Sequence, residues 1–239
     1  MIKQLIILIL SFIFLVSQSC ENFLSTPEDT ELFPDYTGQI DTIFDIDGNA
    51  YRTVGIGSQI WMGENLRTER LNNGTLIQQV VSDSIWDFNP QPAFCWYNND
   101  SIFNKRIYGA LYNYYTVNSG LICPIGWHVP RDSEWAILVR YLGGPDKAGG
   151  KLKDYNSSYW EDPNKCYTND YYFLALPGGR RSSYLGRFMN LGYEGQWWTS
   201  SIKNDFIAYS RIIYYNNTQI IRHESSNGNG YSVRCIKDK

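Results

Sequence analysis

Cys123-Pro124-Ile125-Gly126-Trp127-His128-Val129-Pro130, running on to Glu134-Trp135, and Gly230-Tyr231-Ser232-Val233-Arg234-Cys235 stand about 110 residues apart in a chain of 239 residues. In an oxidising compartment the two cysteines can join and close the last half of the protein into one covalent loop. Two buried thiols are the alternative. Whether such a bond persists depends on where the chain is sent, and the N-terminus bears on that.

The first residues read as an export signal. Lys3 supplies a positive start, residues 5–16 are apolar apart from Ser11, and Ser17-Gln18-Ser19 leads into Cys20. The apolar run suits a signal peptide and falls short of the roughly 20 residues a membrane span needs. A small residue directly before the only cysteine of the region points to lipoprotein processing, with a plain cleaved signal as the alternative. The expected organisation is a signal peptide over 1–19, a polar tether over 20–38 hung from a lipidated Cys20, and one folded domain over 39–239. Ser17 departs from the aliphatic residue usual in such signals. No other stretch is long and apolar enough to cross a bilayer. Export places Cys95, Cys123, Cys166 and Cys235 where disulfides last, and Cys95 with Cys166 is a second bridge to consider.

Composition narrows the partners. A net charge of −3 and a pI near 5.4 argue against nucleic acid, whose binding relies on clustered Lys and Arg. The counts of 19 Tyr, 8 Trp and 20 Gly suggest a loop-rich extracellular fold with aromatic anchors.

Strand patterns lie at both ends. Residues 40–46 and 50–56 alternate around Asp47-Gly48-Asn49, a strong hairpin signal. Gln59-Ile60-Trp61-Met62 continues the meander, and residues 67–107 read as a long irregular excursion. Residues 108–118 read as a helix. A second helix is marked by Trp135, Leu138, Val139 and Leu142 at i, i+3, i+4 and i+7, with Gly143-Gly144-Pro145 as its stop. Residues 148–153 add a short helical turn. Strands follow at 173–176 and 196–201, in a hairpin of 208–215 with 218–223 around Asn216-Asn217, and at 231–236. Helices between two groups of strands indicate an α+β domain.

Several motifs in one order carry a resemblance. They are Asp45-Ile46-Asp47-Gly48-Asn49-Ala50-Tyr51, Trp61-Met62-Gly63-Glu64-Asn65-Leu66, Cys95-Trp96-Tyr97-Asn98-Asn99-Asp100 and Tyr108-Gly109-Ala110-Leu111-Tyr112-Asn113. Gly126-Trp127-His128-Val129-Pro130, Ala148-Gly149-Gly150-Lys151-Leu152-Lys153, Leu176-Pro177-Gly178-Gly179-Arg180, Trp197-Trp198-Thr199-Ser200-Ser201 and Ser232-Val233-Arg234-Cys235 complete the set. Over about residues 42 to 238 the chain resembles the Fibrobacter succinogenes major paralogous domain family. The resemblance implies a C-type-lectin-like single domain: α+β, with two main helices, a short twisted antiparallel sheet and long loops. It also implies a Cys123–Cys235 disulfide tying the start of a helix to the closing strand. It brings no established activity. Arg131 stands where Thr is frequent, so Asp132 or Ser133 is expected to cap the helix instead.

Candidate chemistry is thin. Asp45-Ile46-Asp47-Gly48-Asn49 invites a calcium loop, but Ala50 and Ile56 occupy its sixth and twelfth positions, so it reads as a turn. Glu64, Asp100 and Asp162 have no ligand spacing. His128, between Trp127 and Val129, reads as a packed, hydrogen-bonded residue, and His223 as surface; no G-x-S-x-G stands near either. Zinc spacings are missing, and a formylglycine-generating reaction needs a second cysteine near the end. No catalytic residue, metal or cofactor is expected. The aromatic surplus leaves Trp96, Tyr97, Trp160, Tyr193, Trp197 and Tyr214 as candidate ligand-binding rings, because amphipathic aromatics are favoured at binding surfaces; core packing is the competing reading. Arg180 or Arg211 is expected to bond loop carbonyls inside the domain. The function expected is a non-catalytic binding or adhesion lipoprotein, lipid-anchored at the outer membrane or cell surface, with a polysaccharide or surface protein as partner. A structural cell-envelope protein is the alternative, and an enzyme comes third.

Overall fold

Asp45 shapes the first hairpin. Its carboxylate accepts from the backbone N–H groups of Asp47 and Asn49, from the Asn49 side chain, and at 2.6 Å from the Tyr51 hydroxyl. Gly48 takes φ +77°, a conformation cheap only for glycine. The turn joins β1 (Ile40–Phe44) to β2 (Ala50–Ile56), and β3 (Gln59–Met62) extends the meander. The computed structural model describes residues 36–38, 40–87, 89–154, 158–163, 168 and 170–239. The expected signal peptide, Cys20, most of the tether and Cys166 lie outside the described residues.

The excursion expected to be irregular is built of short elements. It holds β4 (Gln78–Gln79), α1 (Asp83–Asp87), β5 (Ala93–Cys95), a 3-10 turn (Tyr97–Asn99) and α2 (Ser101–Tyr108). The helix expected over 108–118 is not formed. Gly109, at φ +74°, ends α2. Leu111 and Tyr112 then form β6 (Leu111–Tyr112), paired with Cys95 and Phe94. Asn113 caps a four-residue α3 (Tyr114–Val117) through the Thr116 N–H.

Next come β7 (Trp127–His128), α4 (Asp132–Tyr141) and α5 (Pro145–Leu152). Neither Asp132 nor Ser133 caps α4. Glu134 folds back to accept from the Arg131 N–H at 2.7 Å. The Asp132 carboxylate is engaged by Arg211 (2.6 Å) and Arg222 (2.7 Å). The rest is strand: β8 (Arg180–Arg181), β9 (Phe188–Met189), β10 (Glu194–Asn204), β11 (Ile207–Tyr214), β12 (Ile220–Ser226) and β13 (Ile236–Lys237).

The expected α+β, C-type-lectin-like architecture with two main helices and one short sheet is therefore corrected. Among the described residues strand makes up 34% and helix 20%, in four sheets that include a half-barrel. The sheets run β1-β2-β3-β13-β7, β10-β11-β12, β4-β5-β6 and β8-β9. The chain's last strand thus sits inside the first sheet, between β3 and β7. Several strands are only two residues long, too short for any alternation to be visible in sequence.

Two large clusters and a smaller one fill the interior. One gathers Phe94, Trp96, Tyr112, Trp198 and Tyr231 around both bonded cysteines. Another packs α4 and α5 on β11 and β12, with Trp61, Trp135, Phe173 and Trp197 at ring-centroid distances of 4.8 to 6.5 Å. The third lies under α1 around Trp86, Cys95 and Tyr97.

Two fully buried arginines tie loops to these clusters. Arg234 donates to the carbonyls of Phe173 and Leu174 and to Asn65 Oδ1, and lies 4.1 Å from the Phe173 ring centroid. Arg181 donates to the carbonyls of Val80, Val81 and Gly186 and pairs with Asp83. A buried guanidinium is tolerable only when its donors are met this fully.

Candidate functional site

Cys123 and Cys235 are bonded, with their Cα atoms 6.0 Å apart and a sequence separation of 112. The bond ties the loop before β7 to the residue directly before β13. Cys95 is a buried free thiol, its ionisation pushed up to about 12 by burial.

Four of the six candidate rings are interior. Trp197 is fully buried and donates to Asn65 Oδ1 at 2.8 Å. Trp160 is buried, donates to the Ala175 carbonyl and lies under the Lys153 ammonium. Trp96 is buried beneath Lys105. Tyr97 packs on Phe188 at 5.3 Å. Tyr193 is 46% exposed and meets Tyr215 edge-on at 5.2 Å. Tyr214 is half-buried. Arg180 is not a loop clamp; it faces Glu194. Arg211 does bond a loop carbonyl, that of Asp132.

Tyr214 belongs to a polar group that only the sheet register reveals. Directly paired residues share a face. Glu194 pairs with Tyr214, Ser210 pairs with both Trp198 and His223, and Ala208 pairs with Ser225. One face of β10-β11-β12 therefore carries Glu194, Gln196, Ser210, Tyr214, His223 and Ser225. The Gln196 amide donates to Ser210 (2.9 Å) and Ser225 (3.4 Å), the two hydroxyls bond each other (2.9 Å), and His223 Nδ1 lies 3.2 Å from Ser225 Oγ.

Glu194 is fully buried and its carboxylate is met by Arg180, whose Nη1 stands 3.1 Å from Oε1, and by the Asn190 side chain. Gln196 Oε1 is buried without a hydrogen-bond partner. Burial pushes the Glu194 carboxyl above its usual range, although Arg180, the Asn190 side chain and His223 oppose the shift. Burial and the neighbouring Glu194 both raise the Tyr214 hydroxyl. Sequence reading passed over Glu194 and Gln196; the available signal was two polar residues at alternate positions beside Trp197-Trp198.

The second titratable cluster is a clasp. His128 Nδ1 lies 2.6 Å from Asp238 Oδ1, and Nε2 lies 3.0 and 3.1 Å from the two Glu134 oxygens. It joins β7, the start of α4 and the residue after β13. The hydrogen bond to Glu134 raises the His128 pKa against burial, with Asp238 adding to it. Burial opposes ionisation of Glu134, but the His128 and Arg131 contacts prevail and hold it below the usual range.

Glu64 is engaged by Arg52, Asp100 caps α2 and Asp162 is exposed. Among the described residues no three His, Cys, Asp or Glu side chains converge as metal ligands, and no helix there is long and apolar enough to cross a membrane.

No curated relative and no solved structure matches the chain. The profile of the Fibrobacter succinogenes major domain matches residues 54–237. With that match spanning most of the folded region and agreeing with the motifs read from the sequence, the chain belongs to the Fibrobacter succinogenes major domain family.

Proposed function

We propose that this chain is an exported lipoprotein, anchored through Cys20 at the outer membrane or cell surface, whose domain works by non-catalytic binding or adhesion to a polysaccharide or surface protein. The observation that supports binding is the polar face of β10-β11-β12. There Gln196 Oε1 is buried without a donor, next to Glu194, whose carboxylate is met by Arg180, and to the half-buried Tyr214. A buried acceptor without a donor costs about 1–3 kcal/mol, and a partner's donor recovers that cost. Three buried side chains, Trp61, Trp135 and Trp197, and the disulfide hold the scaffold under this face.

The test is a glycan array run beside a pull-down on surface-protein extract, with a general hydrolase screen. Saturable binding without turnover is expected. Measured turnover without a binding partner overturns the proposal. The anchor is tested separately: labelled fatty acid should enter the full-length protein and be lost in Cys20→Ala. The burial of four of the six candidate rings favours the second reading, a structural envelope protein. Absence of any partner in both screens would select it.

A further inference from the structure

We infer that Thr42, Ser84 and Ser101 are acceptors of O-linked sugar, each read by a transferase as the tripeptide Asp-Ser/Thr-Ile. The inference rests on the export reading above and adds a modification to it. Five Asp-Ser or Asp-Thr pairs stand in the chain, and three of them, Asp41-Thr42, Asp83-Ser84 and Asp100-Ser101, run on into isoleucine. The fold gives this recurrence no common cause. Asp41-Thr42-Ile43 lies in the edge strand β1, Asp83-Ser84-Ile85 opens α1, and Asp100-Ser101-Ile102 is the cap and first turn of α2. The carboxylates differ in task as well. Asp41 accepts from the Thr42 N–H at 2.7 Å, Asp83 pairs with Arg181 at 2.8 Å, and Asp100 accepts from the N–H groups of Ile102 and Phe103.

What the three share is presentation. Thr42, Ser84 and Ser101 are all exposed. Ile85 is 55% and Ile102 85% exposed, so neither isoleucine is there to fill the core. An enzyme that reads the tripeptide from outside finds both the hydroxyl and the third residue within reach. Charge selects the group transferred. A phosphate brings about two negative charges beside a carboxylate, which repels it. A sugar is neutral and bulky and belongs on a surface, and its hydroxyls can donate to the adjacent carboxylate. On Thr42 it also blocks the free edge of β1 against pairing with another chain. The donor required is a lipid-linked sugar diphosphate on the outer side of the membrane. The bond from sugar C1 to the diphosphate oxygen breaks, a bond from C1 to the Ser or Thr hydroxyl oxygen forms, and the hydroxyl proton passes to the transferase's base as the diphosphate leaves.

The full-length protein, purified from the cells that encode it, is digested and its peptides are sequenced by electron-transfer mass spectrometry. Sugar-sized additions should sit on Thr42, Ser84 and Ser101, and each should vanish in Thr42→Ala, Ser84→Ala or Ser101→Ala respectively. The chain carries its own control. Ser133 is exposed and follows Asp132, but Glu134 stands third, so Ser133 should stay bare. Ile102→Glu copies that arrangement at an exposed position and should lose most of the sugar on Ser101. The Cys20 peptide in the same digest reports export through its lipid. A lipidated protein with all three hydroxyls bare overturns the inference and leaves the export reading in place. Phosphate instead of sugar, equal modification of Ser133, or full occupancy of Ser101 in Ile102→Glu overturns it in the same way. A protein that keeps residues 1–19 and carries no sugar overturns both readings.

Discussion

Opening the Cys123–Cys235 bond should remove a large share of the domain's stability. The link spans 112 residues of sequence. In the chain-entropy model a loop of that length restrains the unfolded chain by about 4.8 kcal/mol. This is a large share of the roughly 5–15 kcal/mol that keeps a domain folded. Both sulfurs are buried in the cluster with Trp198 and Tyr231, so replacing them with alanine would mix loss of the link with loss of packing. Chemical reduction of the wild-type protein keeps the sulfur atoms and isolates the link. Urea unfolding of oxidised and reduced protein, followed by Trp fluorescence, should show a loss of about 4–5 kcal/mol. The denaturant slope should also be steeper after reduction, because an unlinked unfolded chain exposes more surface. A loss below about 1 kcal/mol with an unchanged slope would refute the reasoning and place the clamp elsewhere.

The His128 clasp gives stability a pH window with two edges. The raised His128 value means its contribution is complete below about 6.5 and fades as pH rises through the higher folded value. The lowered Glu134 value means its contribution is complete above about 4.3 and fades as pH falls through the lower folded value. Urea midpoints should peak between these limits, and His128→Gln should flatten the alkaline edge. The partly exposed contacts limit the effect to about 1 kcal/mol. Arg234→Met removes the buried guanidinium that donates to the carbonyls of Phe173 and Leu174 and shares Asn65 Oδ1 with the Trp197 N–H, and should destabilise by about 3–5 kcal/mol in the same assay. Gly149→Ala drives a methyl into the carbonyls of Gln219 and Thr218. Forcing α5 off the β11-β12 turn should lower stability by about 1–3 kcal/mol.

Local chemistry was the legible part of the sequence. Asp47-Gly48 marked the first hairpin, and Asn216-Asn217 marked the turn between β11 and β12, because such residues accept turn geometry wherever they stand. Trp135, Leu138, Val139 and Leu142 marked α4 by period alone, and all four are buried. The helix expected at 108–118 failed because Gly109 takes positive φ and because β5, some 15 residues upstream, claims Leu111 and Tyr112. That competition is tertiary and leaves no local mark.

The same limit hid the buried cations. Apart from the nearby Gly186 carbonyl, Arg181 and Arg234 take carbonyls offered from 60 to 101 residues away, and in sequence an arginine reads as surface. Trp96, Tyr97, Trp160 and Trp197 show the converse. Abundant rings fit a core and a binding face equally well until neighbours decide, and here neighbours enclosed them. Glu194 and Gln196 acquire meaning only when the register sets Tyr214, Ser210 and Ser225 beside them.

The central claim is that this domain holds a partner without transforming it. It is tested most directly by incubating the purified protein with each polysaccharide of the screen and measuring, in one sample, the protein retained on the polymer and the reducing ends released over time. The account predicts saturable retention with no growth in reducing ends. Reducing ends that accumulate in proportion to enzyme and time would contradict it.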